Sequence, residues 1–381
     1  MAGRGLNAPA PPYSVPDMPA TATPAPTPTF VRSDKVIIGG GAVLIVLAGV
    51  AHFGGWNSVL AFVIAAGAIC LLASLVGLSV EQLGDRFGAG ATGVLQSALG
   101  NLPELFICIF SLKAGLVDVV RGALVGSILA NLLLVLGLAF FVGGLKHGTQ
   151  RLGSERARTV VVLMLLSVTA WVIPSLAHFV HAPASEHEVT FSVIVSVVLL
   201  TLFALSLPFS LRRDANDEEG EPAGHHPPRW PIGLAIGMLA AAGAGAAFVS
   251  DWFVVALEPT MDSVGISEAF AGLVVVAIAG NAVENVVGIQ LAAAGNSEYA
   301  FSILLNSPLQ IALVLAPVLV IVSQVFGLAS LTLVLSPLLV VSLLLAIILT
   351  AFIAFDGEST WLEGASLVAL YGIIATAFWW G

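Results

Sequence analysis

Two carboxylates stand inside apolar stretches in matching surroundings, Gly100-Asn101-Leu102-Pro103-Glu104 and Gly280-Asn281-Ala282-Val283-Glu284. A charged side chain at a bilayer centre costs about 2.5–3.5 kcal/mol on insertion scales, so a chain that keeps two in repeated settings has a use for them. Binding of a hard cation is the chemistry that suits them. Ca2+ takes about six to eight oxygen ligands; two carboxylates neutralise its charge while amide, hydroxyl and carbonyl oxygens complete the shell. Bare carboxylates brought together in a low-dielectric site repel, so the empty site either takes up protons or holds a cation. Exchange of about two protons for one divalent ion keeps it neutral throughout.

The neighbouring residues extend the same chemistry. Gly100-Asn101 and Gly280-Asn281 interrupt otherwise smooth helices, and Pro103 removes a donor and disturbs the carbonyl one turn earlier, which leaves backbone oxygens for a cation. The next apolar stretch in each case carries a second polar layer: Ser127 and Asn131 in the first, Asn306, Ser307 and Gln310 in the second. Ser127 and Asn131 lie four residues apart and share a helix face, as do Asn306 and Gln310. Glu81 and Glu258, separated by 258 − 81 = 177, read as the ends of the second and seventh spans. They are candidates for the mouths of an ion pathway, with Asp251 extending the second mouth.

Helices must position these residues. Of 381 residues 58% are hydrophobic and 9% charged, and the mean hydropathy is +1.02; soluble domains carry roughly 25% charge. The apolar runs are long enough to cross a hydrocarbon core about 30 Å thick as helices, and none alternates as a barrel strand does. The expected fold is an all-α integral membrane protein with about eleven transmembrane helices, roughly at 35–52, 57–80, 91–112, 119–144, 159–180, 189–211, 231–254, 266–293, 298–323, 329–354 and 360–380.

An internal repeat organises them. The glutamates are 284 − 104 = 180 residues apart, and the same offset relates Gly100 to Gly280, Asn101 to Asn281, Gly115 to Gly295 and Ser127 to Ser307. The expected organisation is a disordered Pro/Ala-rich tail (1–33), a first transmembrane helix (34–55), a five-helix repeat (56–211), an acidic cytoplasmic linker (212–229) and a second five-helix repeat (230–381). An odd helix count makes the second half enter the membrane in the opposite sense, the inverted-repeat plan of secondary transporters. In that plan Glu104 and Glu284 meet near the midplane.

Basic residues set the orientation. With a cytoplasmic N-terminus, Arg4, Arg32, Lys35, Arg86, Lys146, Arg151, Arg156, Arg158, Arg212, Arg213 and Arg229 lie inside, and only Lys113 and Arg121 outside. Eleven spans then put the C-terminus outside, in a bacterial-type plasma membrane.

These motifs resemble the calcium/cation antiporter superfamily, most closely its cation/proton exchanger branch. The resemblance covers nearly the whole chain after residue 55. It rests on Gly100-Asn101 to Glu104-Leu105, Val125-Gly126-Ser127-Ile128-Leu129-Ala130-Asn131, Gly280-Asn281-Ala282-Val283-Glu284 and Gln310-Ile311-Ala312-Leu313 to Ala316-Pro317. It implies an antiporter that moves Ca2+ against H+ by alternating access, with Glu104 and Glu284 as shared ligands. Asn285 stands where that branch usually has a histidine, Asn306 replaces a glycine, and Leu102-Pro103-Glu104 is similar to the sodium/calcium exchangers. Coupling to Na+ or K+ is therefore the alternative, followed by a cation channel, although channels usually build acidic rings from identical subunits.

The expected partners are inorganic cations and the lipid bilayer. Oligomeric state is left open. No cofactor, nucleic-acid patch or phosphate loop is expected, and no nucleophile paired with a base points to an enzyme.

Overall fold

The computed structural model describes residues 29–87, 95, 99–152, 155–217 and 228–380, without the side chains of residues 85, 87, 155, 156, 208–217 and 282–284. Residues 1–28 of the expected tail and 218–227 of the acidic linker therefore lie outside the described residues, as do the first part of the third span and the Glu284 side chain.

Along the described chain run α1 (Arg32–Phe53), α2 (Ser58–Phe87), α3 (Leu102–Lys113), α4 (Val117–Leu129), α5 (Leu136–His147), α6 (Glu155–Phe179), α7 (Glu188–Asp217) and α8 (Ile232–Val264). They continue as α9 (Glu268–Phe270), α10 (Ala277–Gly280), α11 (Ala282–Ala293), α12 (Ser297–Gln310), α13 (Ala316–Val325), α14 (Pro337–Asp356) and α15 (Trp361–Trp379). Among the described residues nine helices are long and apolar enough to cross a membrane, or ten if the pair bent by 63° around Asn281 is one span. The predicted third span contributes the 12-residue α3, so a count of eleven stays an expectation from the sequence.

The backbone repeats itself at the spacing of the motifs. Asn101 (φ −94°, ψ 18°) and Asn281 (φ −105°, ψ 18°) break their helices in the same way. Gly115 (φ +85°) and Gly295 (φ +88°) make the same left-handed turn at the ends of α3 and α11. Helix α4 passes into α5, and α12 into α13, through π-helical turns at Ala130–Val135 and Ile311–Leu315. A π turn loosens the hydrogen-bond ladder. The carbonyl of Ala312 in the second of these turns accepts from the Trp171 indole of α6 at 3.1 Å.

Glycine sets how closely the halves approach. Helix α4 packs on the π-helical turn Ala271–Val276, between α9 and α10. A Cβ at Gly126 would stand 2.6 Å from the Leu273 carbonyl carbon, and one at Gly272 would strike the Val119 backbone. Both are backbone-to-backbone contacts that no side chain can relieve.

Three expectations change. Two short strands, β1 (Gln150–Arg151) and β2 (Glu358–Ser359), pair antiparallel and join loops of the two halves in an otherwise helical protein. Helix α8 does not stop near residue 254; it runs 33 residues to Val264 with Pro259 inside it, so Glu258 lies within a helix rather than at a span end. A proline costs one backbone donor, and Gly265, with φ +75°, makes the actual stop.

The tenth helix starts at Pro337, not near 329, with Ser336 as its N-cap. Residues 328–335 run instead as a non-helical segment with Leu331, Leu333 and Leu335 buried. Serines of other helices satisfy its backbone. Ser175 Oγ donates to Leu333 O (3.0 Å) and accepts from Leu335 N (2.9 Å), and Ser192 Oγ accepts from Leu333 N (3.0 Å). Irregular backbone at this depth is tolerated only with such partners. Ser175→Ala is expected to lower stability by about 1–3 kcal/mol, the cost of stranding buried polar groups. A lower thermal unfolding midpoint in detergent checks it; an unchanged midpoint would mean that Ser175 is not needed to hold the segment.

After the linker the chain is fastened again at the opposite end of the bundle. Arg229 pairs with the buried Asp34 of α1 at 2.9 Å, and Gln82 of α2 accepts from the Arg229 and Trp230 amides at 2.8 and 3.1 Å.

Candidate cation site

Glu104 is positioned by the break at Asn101. Asn101 is the N-cap of α3, Pro103 occupies the first turn, and Leu105 N donates to Asn101 O at 2.9 Å. The break thus precedes Pro103, which sits where a missing N–H costs little. The Glu104 carboxylate lies in the first turn of α3, at the positive end of the helix dipole, and its side chain is 1% exposed.

A hydrogen-bonded chain runs from it through both halves. Ser127 Oγ donates to Glu104 Oε1. Asn281 Nδ2 donates to Ser127 Oγ at 2.9 Å and to Ala277 O at 2.9 Å. Ser307 Oγ donates to Asn281 Oδ1 at 3.5 Å, and Asn131 Nδ2 to Ser127 O at 3.0 Å. Ser127, Asn131, Asn281 and Ser307 are all buried. The second broken helix lies beside Glu104 at Gly280, where a Cβ would stand 3.5 Å from Glu104 Cβ, an ordinary van der Waals contact.

Of the sequence candidates, the structure brings together Glu104, Ser127, Asn131, Gly280, Asn281 and Ser307. The backbone of Glu284 follows Asn281 by three residues, as Glu104 follows Asn101, and its side chain lies outside the described residues. Gly100, Asn101, Asn306 and Gln310 are half-buried, and among the described side chains Asn101, Asn306 and Gln310 make no hydrogen bond to the cluster. Glu81 and Glu258 are exposed. Asp251 faces Lys113 Nζ at 3.9 Å rather than the cluster. Asp118, which the sequence reading did not single out, and Glu268 stand with Glu258 near that end of the bundle, where Glu268 feels both of the others.

A buried carboxylate hydrogen-bonded to a serine hydroxyl, with neutral amides on the same network, can exchange a proton for a hard cation. Among the described residues no three His, Cys, Asp or Glu side chains converge. Two contacts were not foreseen. Cys70 of α2 points its thiol at Ala279 O, 3.6 Å away, just before the second break. Asn285 follows Asn281 by one turn with its Oδ1 buried; the four-residue spacing was the available signal.

The chain is similar to known membrane transporters over nearly its full length. The sequence profile of the sodium/calcium exchanger protein family matches residues 57–212 and 234–380. The Ca2+/H+ antiporter of Synechocystis sp. is 34% identical over 349 residues, 86% of this chain and 93% of that protein. The Ca2+/H+ antiporter ChaA of Bacillus subtilis is 35% identical over 353 residues, 90% and 97% of the two chains. The solved structure of native YfkE superposes with a TM-score of 0.77 at 33% identity, covering 90% of this chain and 99% of that one. With its family profile matched in two segments and about a third of its residues shared with two antiporters of nearly the same extent, the chain is a multi-pass membrane protein that belongs to the sodium/calcium exchanger protein family.

Proposed function

We propose that this chain is a secondary antiporter that exchanges Ca2+ for H+ by alternating access. Glu104 and Glu284 are its competing proton and cation ligands, with Ser127, Ser307, Asn131, Asn281 and the carbonyls at Gly100-Asn101 and Gly280-Asn281 around them. The observation that carries the reading is the buried chain Glu104–Ser127–Asn281–Ser307, which joins one carboxylate to polar groups of both halves. Two similar proteins named Ca2+/H+ antiporter support the choice of ions.

The physics is competition. A carboxylate site in a low-dielectric interior stays near neutrality either by protonation or by holding a divalent ion, so each species displaces the other. The two breaks place the ligands at half-helix ends, and alternating access is the rocking of one helix bundle against the other around that site, as in other inverted-repeat transporters. The halves 56–211 and 230–381 are the repeated units, the N-terminus is cytoplasmic and the C-terminus outside, in a bacterial-type plasma membrane.

Purified protein in proteoliposomes tests this reading. A pH gradient alone, without Na+ or K+ gradients, is expected to drive uptake of radiolabelled Ca2+. Uptake that appears only with a Na+ gradient would replace the proton by sodium, and channel currents without counter-transport would remove the antiport reading.

A further inference from the structure

We propose that a second, uncharged cation site lies beside the Glu104 cluster, built from the side-chain amides of Asn101, Asn131, Asn285 and Asn306. There a partly hydrated divalent ion waits before the carboxylates take it or after they release it. The inference rests on the antiport reading for its purpose.

All four asparagines lie on one side of the cluster. His147, at the end of α5, meets the carbonyl of Ala293, at the end of α11, at 3.1 Å, so α4–α5 and α11 run toward the same membrane face. Asn131 follows Ser127 by four residues and Asn285 follows Asn281 by four, about one turn toward that face. Helices α3 and α12 run the other way. Asn101 precedes Glu104 by three residues and is displaced toward the His147 side; Asn306 directly precedes Ser307, about 1.5 Å toward the same side and about 100° around the helix from it. Each of the four helices that form the cluster thus supplies one amide.

Among the described residues, two of these amides carry oxygens with nothing to accept. Asn131 is wholly buried with its Nδ2 engaged by Ser127 O, and its Oδ1 has no hydrogen-bond partner. Asn285 Oδ1 is likewise buried and unpartnered. Leaving such a group unsatisfied is costly in a low-dielectric interior. A hard cation is the species these oxygens fit.

The opposite approach lacks this set. At the 180-residue offset, Asn131 corresponds to Ile311, Asn285 to Leu105 and Asn306 to Gly126, and only Asn101 meets another amide, Asn281. Ile311 is wholly buried, and Leu105 packs against the core. Gln310, the amide of α12 displaced toward that approach, is half-buried. The repeat that duplicates the carboxylates therefore does not duplicate the amides.

Neutral oxygens do not titrate, so this site by itself holds its ion weakly, and any pH dependence it shows comes from the Glu104 and Glu284 charges beside it. A weak station that replaces part of the hydration shell lets an ion enter without trapping it.

Calorimetric titration of Ca2+ into the protein carrying both Glu104→Gln and Glu284→Gln isolates it. Expected is weak binding, about 0.1–1 mM as for sites of low ligand charge, equal in acid and alkaline buffer and lost on adding Asn285→Leu or Asn306→Ala. No binding, binding that follows pH, or binding that survives both asparagine changes overturns the proposal. In otherwise unaltered protein, Asn285→Leu is expected to raise the half-saturating Ca2+ on the His147 side roughly tenfold and to leave the other side unchanged; an equal shift on both sides also overturns it. The calorimetric arm needs no transport, so its failure is distinct from failure of the antiport reading, which is decided by proton-driven flux of the unaltered protein.

Discussion

Glu104→Gln is expected to abolish calcium uptake driven by a pH gradient while leaving the protein folded. The substitution keeps the shape of the side chain and an oxygen that can accept from Ser127 Oγ, so the Glu104–Ser127–Asn281 chain persists. What disappears is a charge and a proton-binding group. Changes to groups behind the ligands of a metal site cost about 10–100-fold in affinity or activity, and loss of a charged ligand is expected to exceed that range. In the unaltered protein, the Ca2+ concentration that half-saturates uptake should rise as pH falls, because protons occupy the same oxygens. Radiolabelled Ca2+ flux in proteoliposomes, with a thermal unfolding profile run in parallel, separates loss of the site from loss of the fold. Full pH-driven uptake by the Gln variant would remove Glu104 from the mechanism.

The second large effect is expected from Gly126→Val. Its Cβ would enter the space of the Leu273 backbone, 2.6 Å from the carbonyl carbon, and the branches would add to the conflict. Overpacking of a core costs about 1–3 kcal/mol when side chains can yield, and more is expected here because the obstacle is main chain on both sides. Helix α4 would be pushed off the π-helical turn, carrying Ser127 away from Glu104. Yield of monodisperse protein and its unfolding midpoint should fall sharply. Gly233→Ala is the contrasting case. Among the described residues nothing lies within 4 Å of a Cβ at that position, so the change should be neutral or slightly stabilising. Comparable behaviour of the two variants would mean that the α4 contact does not govern assembly.

Much of the site was legible in the sequence because the repeat writes it twice. Gly-Asn before each glutamate and the serine of the next helix recur at one offset, and the structure gives the two asparagines nearly the same backbone angles. Glu258 misled for a local reason: Glu258-Pro259 reads as a helix end, yet the helix survives one missing donor and stops at Gly265. The late start of α14 was hidden because Leu331, Leu333 and Leu335 look like any apolar span. Their backbone is held by Ser175 and Ser192, more than a hundred residues away in sequence.

Composition and periodicity by themselves determined that this chain is a helical membrane protein, and the repeated spacing singled out Glu104, Ser127, Asn281 and Ser307, which the structure joins by hydrogen bonds. Both are local or one-dimensional properties: burial in lipid demands apolar helices, and a duplicated motif shows as an offset. Which side chains touch was decided by tertiary structure alone. The close approach at Gly126 and Gly272, the π-helical turns and the bend at Asn281 bring Ser127 of one half onto Asn281 of the other. The displacement of four asparagines to one side of Glu104 has the same origin, because it depends on the opposite directions of the helices that carry them.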